Sequence, residues 1–100
     1  MSRLVFRPEA RADLTAIYRF IASDAPRAAR QFTNAIRSRL KILATYPDVG
    51  AARNWISPGL RILPLPGRIV VAYQVAATEV IILRIFYGGQ DYEAFFRAEG

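Results

Sequence analysis

The apolar residues of this chain change period once, and that change fixes what it can fold into. Between residues 9 and 46 they recur at helical spacing, and between 60 and 87 they alternate in twos. Helices followed by strands, without the regular strand–helix alternation of a parallel sheet, predict an α+β fold. The expected order is an N-terminal strand, an antiparallel helical hairpin and an antiparallel three-strand meander. The helices should pack on one side of a mainly antiparallel sheet. One hundred residues suffice for one core, so a single domain is expected over residues 1–100.

Arg3, Val5 and Arg7 alternate with Leu4 and Phe6, the pattern of a short strand with one wet face. Pro8 suits a first helical position, where no amide donor is needed, and Glu9 lies on the favourable side of the helix dipole. Ala10, Leu14, Ile17, Tyr18 and Ile21 then form one stripe. Ser23 or Asp24 is expected to cap the second helix, with Pro26 just inside it. There Ala29, Phe32, Ile36, Leu40 and Leu43 share a face, and Arg27, Arg30, Asn34, Arg37 and Lys41 occupy the other. Tyr46-Pro47 should end that helix, because a residue before proline avoids the helical region. Asp48 to Pro58 reads as a loop holding Trp55 and Ile56. Leu60–Leu65, Arg68–Val75 and Glu79–Tyr87 read as strands, and Pro64 and Pro66 call for an edge position or an early end of the first. The tail from Gly88 reads as a short helix or an irregular segment. Leu14, Ile17, Ile21, Phe32, Ile36, Leu40, Tyr73 and Leu83 are the expected core.

Charge narrows the partners. Fourteen basic residues, thirteen of them arginine, face eight acidic ones, for a net charge of +6. That balance favours nucleic acid, a ribonucleoprotein surface or an acidic protein segment. The apolar runs fall far short of the roughly 20 residues that span a membrane. No signal peptide is visible behind Arg3 and Arg7, and there is no cysteine, so a cytoplasmic protein is expected.

Histidine and cysteine are both absent and the carboxylates are scattered, so neither a metal site nor a cofactor is expected. Glu9 and Asp13, one turn apart, read as a solvated face. A serine nucleophile would lack its base, and Gly88-Gly89 lacks the lysine of a phosphate loop. Arginine and tyrosine remain. Arg84 should share a sheet face with Ile82 and Phe86, where a charge needs a carboxylate such as Asp91, an open face or an anion. Alternatively Arg61, Arg84 and Tyr87 line an anionic cleft, the arginines gripping a phosphate bidentately. A tyrosine base at neutral pH costs about 4 kcal/mol without cationic help. The basic face of the second helix serves solubility or meets nucleic acid. Phe20, Trp55, Phe95 and Phe96 either close a core edge or mark a protein-binding groove.

Several short motifs fall in a telling order: Ala12-Asp13-Leu14, Pro47-Asp48-Val49-Gly50, Gly59-Leu60-Arg61 and Ile82-Leu83-Arg84-Ile85-Phe86-Tyr87-Gly88. In this the chain resembles the RelE/ParE superfamily of toxins from bacterial toxin–antitoxin pairs, over about Arg3 to Asp91. The resemblance implies a small twisted sheet with a helical hairpin on one face. It also implies a cognate ParD-like antitoxin that binds DNA at its other end, and one of two targets. RelE-like members cut messenger RNA on the ribosome, which would make Arg61, Arg84 and Tyr87 catalytic. ParE-type members poison DNA gyrase, and the motifs fit that branch better. The segment Ala51-Ala52-Arg53-Asn54-Trp55 offers one arginine and no lysine, so the RelE basic set is incomplete. Tyr87 stands where histidine is frequent, and Gln90-Asp91 where arginine-aspartate often closes the motif. On this reading no catalysis is expected, and Arg53, Trp55, Arg61, Arg84 and Tyr87 are expected contacts for target or antitoxin.

Overall fold

A computed structural model describes residues 2–99; the expected domain limits, 1 and 100, lie outside the described residues. Strand β1 (Arg3–Phe6) leads into α1 (Pro8–Ala22), α2 (Pro26–Leu40) and the one-turn α3 (Ile42–Thr45). Then come β2 (Ala51–Ala52), β3 (Arg61–Leu65), β4 (Ile69–Val75), β5 (Glu79–Tyr87) and α4 (Tyr92–Glu99). The strands form one sheet in the order β1-β5-β4-β3-β2. The meander β3–β4–β5 is antiparallel, as its alternation predicted, and β1 adds to β5 in parallel, Arg3 beside Glu79 and Phe6 beside Ile82.

Pro8 and Pro26 each open a helix, their fixed φ and missing N–H costing nothing there. The expected cap differs. Ala25, not Ser23 or Asp24, precedes α2, and no side chain caps it. The turn is so short that Ser23 still terminates α1, its hydroxyl donating to the Phe20 carbonyl at 2.9 Å. The second helix stops at Leu40, and one further turn carries the chain to Tyr46, whose non-helical backbone before Pro47 ends it.

Two cores result. On the helical side, Ala10, Leu14 and Ile17 of α1 and Ile36, Leu40 and Leu43 of the second arm meet Ile69, Val71, Tyr73, Val80, Ile82 and Ile85. Ile21 and Phe32 sit at its margin, half-buried. The opposite face holds Leu60, Ile62, Ala72 and Phe86 under Tyr92, Phe95 and Phe96 of α4 and Ile56 of the loop. Leu83 belongs here, half-buried, rather than in the first core.

A β-bulge explains that placement. Tyr73 pairs with Ile82 but Ala72 pairs with Arg84, so Leu83 is an extra residue in β5 and the side-chain alternation skips there. Ile82 therefore faces the helices, while Arg84 and Phe86 take the other face. The segment read as loop also contains β2, two residues that cover only Arg61 and Ile62 of β3. Pro64 and Leu65 remain the open edge, where a missing N–H is tolerated. Gly67 turns β3 into β4 with φ +85°, and any Cβ there would run into the Phe32 ring.

Candidate functional site

Beyond the bulge, Arg84 reaches Asp13 in the first half of α1. β1 stops at Phe6, so the N–H of Ile85 on β5 would have no strand beside it. Asp13 fills that place: its Oδ2 accepts the Ile85 N–H at 2.8 Å and the Arg84 Nε at 2.8 Å, and its Oδ1 accepts Arg84 Nη2 at 2.9 Å. The arrangement is bidentate, with the two side chains only 29% and 15% exposed. The carboxylate's hydrogen bonds raise the Arg84 pKa against the smaller opposing effect of burial. Its guanidinium carbon also stands 4.6 Å from the centre of the Phe95 ring, a cation–π contact linking β5 to α4. Arg84 does pair with a carboxylate, but with Asp13; Asp91 instead accepts the Ala94 N–H at 3.0 Å at the start of α4. Asp13 is thus a part-buried anchor and not part of a solvated face.

Arg61 is engaged elsewhere. It lies beside Tyr73 in the β3–β4 ladder, on the helical face. Its Nη1 donates to the carbonyls of Gly50 at 2.6 Å and Asp48 at 3.2 Å, and Nη2 is 3.5 Å from the Asp48 carboxylate. The Tyr73 hydroxyl donates to the Pro47 carbonyl and accepts the Gly50 N–H, both at 2.8 Å. Burial raises the Tyr73 pKa, opposed by the Gly50 N–H and the nearby Arg61 charge. Position 50 has room for glycine only, since a Cβ would lie 2.5 Å from that hydroxyl and 2.9 Å from the Ile62 carbonyl. The Pro47–Gly50 turn and Arg61, eleven to fourteen residues apart in sequence, are therefore one clamp that fixes the hairpin's end to the sheet.

Tyr87 faces the helices, its ring 6.1 Å from Phe20 and 5.8 Å from Phe32 between centres. Phe20, Gly67, Arg68, Tyr87 and Gly88 line an open groove of about 530 Å³, with Phe20 71% exposed. Phe95 and Phe96 close the second core, as one of the two readings of the stray aromatics had it. Trp55 lies 68% exposed in the loop, and Arg53 stacks over it at 5.2 Å.

The expected residues therefore fall in separate places. Arg61 and Arg84 are two strands apart on opposite faces of the sheet, and Tyr87 packs between aromatics of the hairpin. Sequence reasoning missed Asp13 as the partner of Arg84, and Asp48, Gly50 and Tyr73 as the rest of the clamp around Arg61. The signal for Asp13 was present: it adjoins Leu14 on the edge of the buried stripe, where a carboxylate needs a cation.

A helical hairpin packed on a sheet, with Arg84 bonded to its first helix and Arg61 to the turn that follows it, defines a small α+β protein. The family model described as the ParE toxin of the type II toxin–antitoxin system, parDE, matches residues 4–92. The chain belongs to the ParE toxin family. It is 31% identical to a chain of the chromosomal ParDE TA system from P. aeruginosa. That match covers 87% of this chain and 96% of the other, with a TM-score of 0.77. A conserved hypothetical protein from Helicobacter pylori aligns over 85% of this chain and 92% of its own, at 12% identity and a TM-score of 0.42. No curated protein matches the chain.

Proposed function

We propose that this toxin, acting as one cytoplasmic domain over residues 1–100, performs no bond-breaking step of its own. It binds DNA gyrase and holds the enzyme's covalent cleavage intermediate open, so that breaks accumulate. The observation that carries this reading is that Arg61 and Arg84 spend their donors on Gly50, Asp48 and Asp13. A nuclease would need them turned towards a scissile phosphate. Family membership supports the same branch.

A ParD-like antitoxin, bound to DNA at its other end, keeps the toxin silent. The net charge of +6 and the groove beside Phe20, Tyr87 and Arg68 suit an acidic, amphipathic segment that folds as it binds. Trp55 with Arg53 offers a second exposed contact. In this reading Arg61 and Arg84 serve as anchors of the binding surfaces.

Purified toxin, gyrase and supercoiled plasmid should yield linear DNA after protein removal, while programmed ribosomes keep their messenger intact. Codon-aligned cuts in ribosome-bound RNA, abolished by Arg84→Ala or Tyr87→Phe, would assign the protein to the nuclease branch instead.

A further inference from the structure

The open end of the helical hairpin carries a cluster of cations that the proposed function leaves unused. The hairpin turns at Asp24, so residues equally far either side of it lie level on the two arms. Arg11 faces Arg37 in this way, and Arg7 faces Lys41 one turn further out. Arg11 and Arg37 line the same cavity of about 430 Å³, with Phe6, Leu14 and Thr15 completing its wall. The ion pairs among the described residues are Arg3–Glu79, Arg61–Asp48, Arg84–Asp13 and Arg97–Glu93, so neither wall arginine has an acidic partner.

The nearby acids point elsewhere. Asp13 is bonded to Arg84, and the charge of Glu9, one turn before it on the same side of α1, also acts on Arg84. Arg11, two residues from each, stands about 200° round the helix from them. Asp24 is at the far end of the hairpin, about 20 Å from Arg11 at 1.5 Å per residue. The neighbours one turn away on the same arms are Arg7 and Lys41, which add positive charge. Two guanidiniums thus share one cavity and repel each other, with no ion pair to neutralise either among the described residues.

We propose that the Arg11–Arg37 cleft is a phosphate-backbone site for duplex DNA. Guanidiniums suit phosphate oxygens geometrically. Arg27, Arg30, Arg37 and Lys41 continue the positive face along α2 over about 21 Å, a length that follows several successive phosphates. A single acidic side chain of a partner protein would use the cleft but leave that extended row unmatched. The site is separate from the groove assigned to the antitoxin and from the clamp residues, so it is testable apart from gyrase poisoning.

The test measures anisotropy of a fluorescent 20-base-pair duplex of arbitrary sequence with the full-length toxin across a salt series. The double variant Arg11→Gln/Arg37→Gln should bind roughly 10- to 100-fold more weakly at 0.1 M salt. The slope of log affinity against log salt should fall by about 2, one counterion-releasing contact for each arginine. Arg11→Lys/Arg37→Lys keeps both charges and should retain most of the slope. Arg39→Gln/Arg97→Gln removes the same charge on the far side of α2 and on α4, and should bind nearly as wild type. Equal weakening by both glutamine pairs would show that binding follows net charge alone and would overturn the site. So would a wild-type toxin that ignores the duplex but captures an acidic peptide through Arg11 and Arg37. Circular dichroism verifies that each variant is folded. Failure of the gyrase assay with DNA binding intact would remove the poison reading and leave this site standing.

Discussion

Asp13 serves three donors at once, and the geometry makes it the most costly single carboxylate to remove. Asp13→Ala leaves the Ile85 N–H and a part-buried guanidinium without acceptors. Stability should fall by about 2–4 kcal/mol in urea unfolding, with Asp13→Asn losing less because it keeps one acceptor oxygen. Tyr73 predicts a pH effect of definite sign. Its folded pKa lies above the ordinary value near 10, so the unfolded chain gives up this proton first. The contribution is complete below pH 10 and is lost as pH rises through the folded pKa. Tyr73→Phe should be about 1–3 kcal/mol less stable at neutral pH, having lost the bonds to Pro47 and Gly50. The gap between the two proteins should narrow above pH 10, measured by urea unfolding at each pH.

At the scale of elements, the apolar periods carried most of the fold. The helical stripe, the hairpin break and the meander were legible because burial of one face imposes a fixed spacing on each. What escaped the sequence was set by single residues of register. Leu83 gave no sign that it would bulge, so the faces of Ile82 and Arg84 could not both be read correctly. The cap at Ala25 and the two residues of β2 likewise follow from how tightly the chain turns. Of the candidate site, the residues were legible but their partners were not, since an arginine in a strand does not announce which carboxylate will reach it. The stripe itself yields a test: Ile36→Ala or Leu40→Ala should cost about 2–5 kcal/mol, because both side chains are essentially fully buried in the first core. Gly67→Ala should also destabilise, through its positive φ and the Phe32 ring together.

For the whole molecule, the relevant quantity is how much surface waits for a partner. Phe20, Trp55, Ile42, Tyr46 and Val49 are all well exposed on a chain whose two cores are otherwise closed. Calorimetry of antitoxin binding should therefore show a large negative heat-capacity change as apolar surface is covered and the segment folds. Expression of the toxin alone should arrest growth, and co-expression with its antitoxin should restore it.

The parallel pairing of β1 with β5 also governs when this molecule can come into being. Residues 3–6 are made well before residues 79–82, which are their neighbours in the sheet. The loop that must close spans most of the chain, and Asp13 waits as long for Arg84. A nascent chain stalled before residue 79 lacks β5, so β1 has no strand beside it and Asp13 no Arg84. The first strand therefore docks only once β5 has been made, and the sheet closes late along the chain.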